Sequence, residues 1–201
     1  MKKLPKIIKK LNTPAKVQDF LDKTPFNFEK RGETYMSPKR VLEAGRMHCF
    51  EGAILACLCL QQNKIENYLL DLKVKDLKKD YDHVLCVFKI NGFWGAISKT
   101  NHSVLRFRDP IYQNPRELAL SFYHEYFLDS GEKTLKSFSK PFDIWKKFGT
   151  AWVTAEQDLD EIAEALDSSP HFNFVPEVNK KFIRKAGQTE IKGAGIMQYK
   201  K

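Results

Sequence analysis

The stretch from Cys49 to Leu60 is apolar on nearly every side of a helix, which predicts a buried central helix. Two shorter helices precede it. Thr13-Pro14 reads as N-cap and first helical residue of one that runs to about Asp22. Ser37-Pro38 repeats the signal for a second, which Gly45 ends. The pattern then changes. Residues 68–74 form a plausible strand, and residues 75–82 a polar loop. Residues 83–90, His83-Val84-Leu85-Cys86-Val87-Phe88-Lys89-Ile90, are rich in β-formers and mostly apolar, which suits a central strand. Asn91-Gly92 is a strong type I′ hairpin signal, and residues 93–98 supply the return strand. Residues 104–108 alternate apolar and basic, which predicts a strand with one wet face. Pro115 opens a helix to about Phe127, with Leu118, Phe122 and Tyr126 on one face. A strand over 134–139 and an acidic amphipathic helix over 158–166 follow. Beyond Pro170 the pattern weakens, and Gly187, Gly193 and Gly195 predict a loose tail. A helix followed by strands in hairpins is α+β rather than an alternating βαβ sheet.

Length and composition narrow this further. A chain of 201 residues, 42% hydrophobic and 12% aromatic, reads as one globular domain able to bury its own core. The domain is expected over residues 1–178, with its core at about 37–140 and a basic tail at 179–201. The net charge of +9 is concentrated at the ends. Residues 1–11 hold five lysines and no acid, and residues 179–201 carry +6, which leaves −2 for the body between them. Such basic arms either solubilise the ends or touch nucleic acid or an acidic partner. The first residues lack the apolar region of a secretory signal, and no apolar run is long enough to span a bilayer. Of the four cysteines, Cys57, Cys59 and Cys86 lie in apolar runs, as small hydrophobes do. Reduced thiols in a soluble, cytoplasmic protein are the expectation. Oligomeric state is not legible.

Cys49 falls at the predicted start of the buried helix, where unpaired amides and the helix dipole favour a thiolate. His83 stands at the mouth of the predicted central strand. A sheet packed on the helix brings such a histidine beside the helix N-terminus, where it can take the thiol proton and return it to a leaving amine. Taken alone, Cys49 reads as one more buried cysteine and His83 as a strand-end polar residue. Together they read as a nucleophile and its base.

Two segments carry a resemblance. Gly45-Arg46-Met47-His48-Cys49-Phe50-Glu51-Gly52-Ala53 resembles the cysteine segment of transglutaminase-like proteins. Asp82-His83-Val84, followed by Asn91-Gly92-Phe93-Trp94, resembles their histidine strand, turn and tryptophan strand. Within that group, the run from Trp94 to His102 is similar to small bacterial transglutaminase-like proteins of undefined function. The resemblance covers roughly residues 37–112 and implies a papain-like α+β core with a Cys–His–Asp triad. It also implies acyl transfer or hydrolysis of a peptide or amide substrate through a thioester acyl-enzyme, without a cofactor. The family's aspartate falls four residues after the hairpin tryptophan, where this chain has Ser98. A serine accepts a bond from the imidazole but brings no charge. Asn101 and Asp109 are the alternatives for the third position. Asp82 is weaker, because on a strand its side chain points away from that of His83. The Cys49 N–H, with His48, is the expected oxyanion donor. Arg46 suits a substrate carboxylate, and Trp94 is a further substrate-side candidate.

The rival reading is a non-catalytic binding module of the same fold that uses its basic ends. No metal site is expected. Cys57 and Cys59 are two apart on a helix and diverge, and no acidic loop has EF-hand spacing. No phosphate-cradling glycine loop is present. Trp145, Phe148 and Trp152, near Lys146 and Lys147, suit base stacking, but packing against the core is the better expectation.

Overall fold

The computed structural model describes residues 6–30 and 32–200. Helices α1 (Lys6–Lys10), α2 (Pro14–Lys23), α3 (Pro38–Ala44) and α4 (Cys49–Gln62) come first. Strands β1 (Glu66–Val74), β2 (His83–Ile90), β3 (Phe93–Ile97) and β4 (Arg108–Tyr112) follow. Then come α5 (Pro115–Tyr123), β5 (Leu135–Ser139), α6 (Ile144–Phe148), α7 (Asp160–Asp167), β6 (His171–Asn173) and α8 (Gln188–Ala194). The cap-plus-proline signals act as their chemistry requires. The Thr13 hydroxyl accepts from the Lys16 N–H at 3.3 Å and that of Ser37 from the Arg40 N–H at 3.3 Å. Gly45, at φ 62°, ends α3.

The six strands form one antiparallel sheet in the order β4-β3-β2-β1-β5-β6. Helices cover both faces. Leu69 of β1 and Val84, Cys86 and Phe88 of β2 join the cluster built on α4, together with Val17, Leu21 and Ile162. Leu70, Leu72, Leu85 and Val87 alternate to the other side, where Leu118, Ala119 and Phe122 of α5 cover them. Every residue of α4 from Phe50 to Leu60 is buried, as its unbroken apolar pattern requires. The α+β class is therefore observed. Among the described residues no helix is long and apolar enough to cross a membrane.

Several elements differ from the sequence pattern. No strand forms over 104–107; β4 begins only at Arg108. Leu105 sits in the left-handed region at φ 60°, its N–H donating to Glu125 Oε2 at 2.8 Å and its carbonyl accepting from the Ser98 hydroxyl at 2.5 Å. Those two bonds outweigh the strand alternation. Helix α5 stops at Tyr123, and the chain turns so that Phe127 bridges to Lys133. The tail is not loose. The Gln198 N–H donates to Asn101 O at 2.8 Å, Ser103 N–H to Ile196 O at 3.0 Å, and the Tyr199 hydroxyl to Asp22 O at 2.5 Å. At the other end, α1 buries Ile8 in the α4 cluster; the first five residues of the basic N-terminus lie outside the described residues. Trp145 and Trp152 pack together at 4.8 Å beside the α4 cluster.

One close approach fixes the seat of α4. A Cβ on Gly52 would lie 2.6 Å from the Cβ of Lys99, itself 1% exposed. The Lys99 ammonium donates to Leu21 O at 2.7 Å and Thr24 O at 2.5 Å, so the lysine caps α2 and cannot retreat. Gly52→Ala is expected to destabilise the protein by about 1–3 kcal/mol, despite alanine's better helix propensity. Urea unfolding of the two proteins measures the difference.

Candidate active site

Cys49 is the first residue of α4, and its N–H is among those with no acceptor inside the helix. The thiol is partly exposed, whereas Cys57, Cys59 and Cys86 are buried. Two imidazoles bear on it. His48 Nδ1 lies 3.9 Å from the sulfur, and His83, the first residue of β2, is near enough to lower the pKa of the same thiol. Burial pushes the thiol pKa up, but hydrogen bonding to His48 and His83 and the charge of both rings outweigh burial. The thiol is held well below its ordinary value of 9.0. Cys59, without such partners, is pushed up to about 12 by burial.

His48 is itself fixed. Its Nε2 donates to Thr34 O at 2.6 Å, and carboxylate oxygens of Glu29 and Glu51 each lie 3.6 Å from that nitrogen. Burial lowers its pKa, but the thiolate, the Glu51 charge and the Thr34 carbonyl raise it further, to about 9. At neutral pH His48 is thus an imidazolium, and it biases the neighbouring thiol toward the thiolate.

Glu51 organises this corner. It is fully buried. Its carboxylate accepts from His48 N–H at 2.9 Å, Thr34 Oγ1 at 2.9 Å, Met36 N–H at 3.2 Å and Asn27 Nδ2 at 3.2 Å. One carboxylate thereby ties the 27–36 loop to the start of α4. The sequence pattern held no signal for this role, because a glutamate at the third position of a helix is ordinary.

His83 Nε2 lies 2.8 Å from Ser98 Oγ. The Ser98 hydroxyl spends its proton on Leu105 O, so the serine accepts and His83 Nε2 donates. Nδ1 is left as the ring nitrogen for the thiol. Gln18 of α2 grips the Ser98 backbone from both sides, accepting from its N–H at 2.9 Å and donating to its carbonyl at 2.8 Å. Neither Gln18 nor Leu105 carried a sequence signal; the contact with Gln18 spans 80 residues.

No family model matches this chain, and a search of curated proteins found no match.

The remaining candidates lie elsewhere. Asn101 is engaged with the tail, accepting from Tyr199 N–H at 2.7 Å and donating to Tyr199 O at 3.0 Å. Asp109 is exposed on the edge strand β4. Ser98 holds the ring nitrogen that either would have oriented. Trp94 pairs with Lys89, six residues along β2 from His83 and so about 20 Å away. Its ring packs on Tyr68 at 5.8 Å, which removes it from the site. Arg46 is exposed and lines a cleft of about 430 Å³ with Phe26, Asn27, Phe28, Glu29 and Thr34, next to His48.

Glu51→Gln replaces two acceptor oxygens by one and turns an NH₂ toward donors. A loss of about 2 kcal/mol or more in unfolding free energy is expected, with faster amide exchange at Met36 and His48. The raised pKa of His48 contributes stability that is fully present below its unfolded value of 6.5 and is lost as pH rises through about 9. The gap in stability between the native protein and His48→Ala should therefore narrow over that window, as denaturant melts at successive pH values measure.

Proposed function

We propose that this protein is a thiol-dependent acyltransferase or amide hydrolase of the transglutaminase-like type. The observation that supports this is a half-buried cysteine at a helix N-terminus, 3.9 Å from His48 Nδ1, whose thiol pKa both His48 and His83 lower. In this reading the Cys49 thiolate attacks the carbonyl carbon of an amide or ester. The oxyanion that forms is met by the N–H groups at the start of α4. His83, which has taken the Cys49 thiol proton on Nδ1, passes it to the departing amine or alcohol, the carbon–heteroatom bond breaks, and a thioester remains on Cys49. His83, neutral again, then takes a proton from water or an acceptor amine, which releases the acyl group. Ser98 orients the ring without lending it charge. His48 stays charged and stabilises the thiolate. Arg46, in the cleft beside His48, suits an anionic group on the substrate.

Alkylation by iodoacetamide and acylation by p-nitrophenyl acetate test the reading. Cys49 is expected to react first of the four cysteines, with its rate falling only at a pH well below 9. The acetyl adduct should map to Cys49 by mass spectrometry. His83→Ala should slow acylation by about 100-fold or more, and Ser98→Ala by less, since it removes only the orienting acceptor. Equal acylation rates in the native protein and His83→Ala would leave a non-catalytic module as the better account. An adduct confined to other cysteines would do the same.

A further inference from the structure

Three carboxylates converge on the α4 side of the sheet. Asp71 lies on β1 opposite Val84 and on the same face as Leu69, beneath the helical layer. Asp82 ends the loop before β2, and Asp167 is the last residue of α7. One ligand oxygen from each lies within 4.8 Å of the others. Two oxygens that share an ion at about 2.4 Å can be no more than about 4.8 Å apart, so this spacing meets the condition for a common calcium-sized centre.

A second observation points to a ligand. Asp71 is 3% exposed, and its Oδ1 is fully buried with no hydrogen-bond partner among the described residues. A buried carboxylate oxygen that lacks a donor is costly unless a cation faces it. The donors present serve the other oxygens. His171 Nε2 lies 3.2 Å from Asp71 Oδ2, the Val74 N–H donates to Asp82 Oδ1 at 2.8 Å, and Lys73 Nζ lies 2.7 Å from Asp167 Oδ1. His171 Nδ1 is bonded to Ser169 O at 2.6 Å, which fixes the ring beside Asp71. Lys73 and His171 are the only basic side chains in contact with the three carboxylates among the described residues. The half-exposed side of Asp167 leaves a route from solvent.

We propose that Asp71, Asp82 and Asp167 bind one hard divalent cation of calcium's size, with oxygen ligands throughout. The ion joins β1, the end of the 75–82 loop and the C-terminus of α7. Asp82 immediately precedes His83, so the ion also braces the start of β2. Lys73 is the resident competitor, holding Asp167 when the ion is absent. The proposal does not depend on the thiol chemistry.

Chelator-treated full-length protein is titrated with calcium, magnesium or manganese chloride, with sodium chloride at matched ionic strength as the control. Calorimetry gives stoichiometry, and thermal unfolding gives stability. The expected result is one calcium per chain and a rise of several degrees in melting temperature. Asp71→Asn and Asp167→Asn should each abolish both. Asp167→Asn lies on an exposed helix end, where folding is not at risk. Lys73→Met, which removes the competing charge, should tighten calcium binding several-fold. The proposal is overturned if none of the three ions gives a one-site isotherm, or if the asparagine variants bind as the native protein does. It is also overturned if Asp167→Asn raises the melting temperature by itself while every ion has no effect, which is plain relief of carboxylate repulsion.

Discussion

A carboxylate removed from water costs several kcal/mol unless donors replace its hydration, and Glu51 is completely removed. Four residues supply the replacement: Asn27, Thr34, Met36 and His48. Because those donors come from the 27–36 loop and from the residue before α4, the carboxylate can be satisfied in only one arrangement of the two. That arrangement turns His48 so that one ring nitrogen meets Thr34 O and the other meets Cys49. The negative charge beneath the ring also favours the imidazolium. Thiol, imidazolium and buried carboxylate thus form one electrostatic chain at the head of the central helix, and the loop that bounds the neighbouring cleft hangs from the same group.

The second imidazole is held differently. His83 meets an uncharged hydroxyl, and that hydroxyl is held by a backbone carbonyl at a left-handed residue and by Gln18 at its own backbone. A leucine at φ 60° is about 1–2 kcal/mol above an extended one. Its bonds to Ser98 and Glu125 offset that cost and hold the acceptor in place. The ring gains orientation without gaining a charged partner. The charged partner of the thiolate is His48. The two imidazoles are therefore held by different means, one beside carboxylates and the other by a hydroxyl.

The sheet lets these parts coexist. Its central strands are buried on both faces, by α4 on one side and α5 on the other, so the starts of β2 and α4 are held by packing rather than by loops. The segment after β3 carries Ser98, Lys99 and Asn101 in turn, and each ties a different piece: His83, the end of α2, and the C-terminal tail. The basic end that looks free in the amino-acid sequence is docked through this segment.

How much of this was legible depends on how local each signal is. Capping hydroxyls before prolines, the left-handed glycine after α3, the two-residue turn at Asn91-Gly92 and the all-round apolar α4 act over a few residues, and each appears where its chemistry places it. The same local logic put Cys49 at a helix start and His83 at a strand start. The alternation over 104–108 was equally local and misled, because Glu125 and Ser98 compete for the Leu105 backbone from 20 and 7 residues away. The role of Glu51, the grip of Gln18, the docking of the tail and the meeting of Asp71, Asp82 and Asp167 have no short-range signature at all. They arise from burial, which raises the cost of an unsatisfied polar group until distant parts of the chain must supply its partner. The amino-acid sequence determined where helices and strands begin; only the tertiary structure decided which polar groups meet between them.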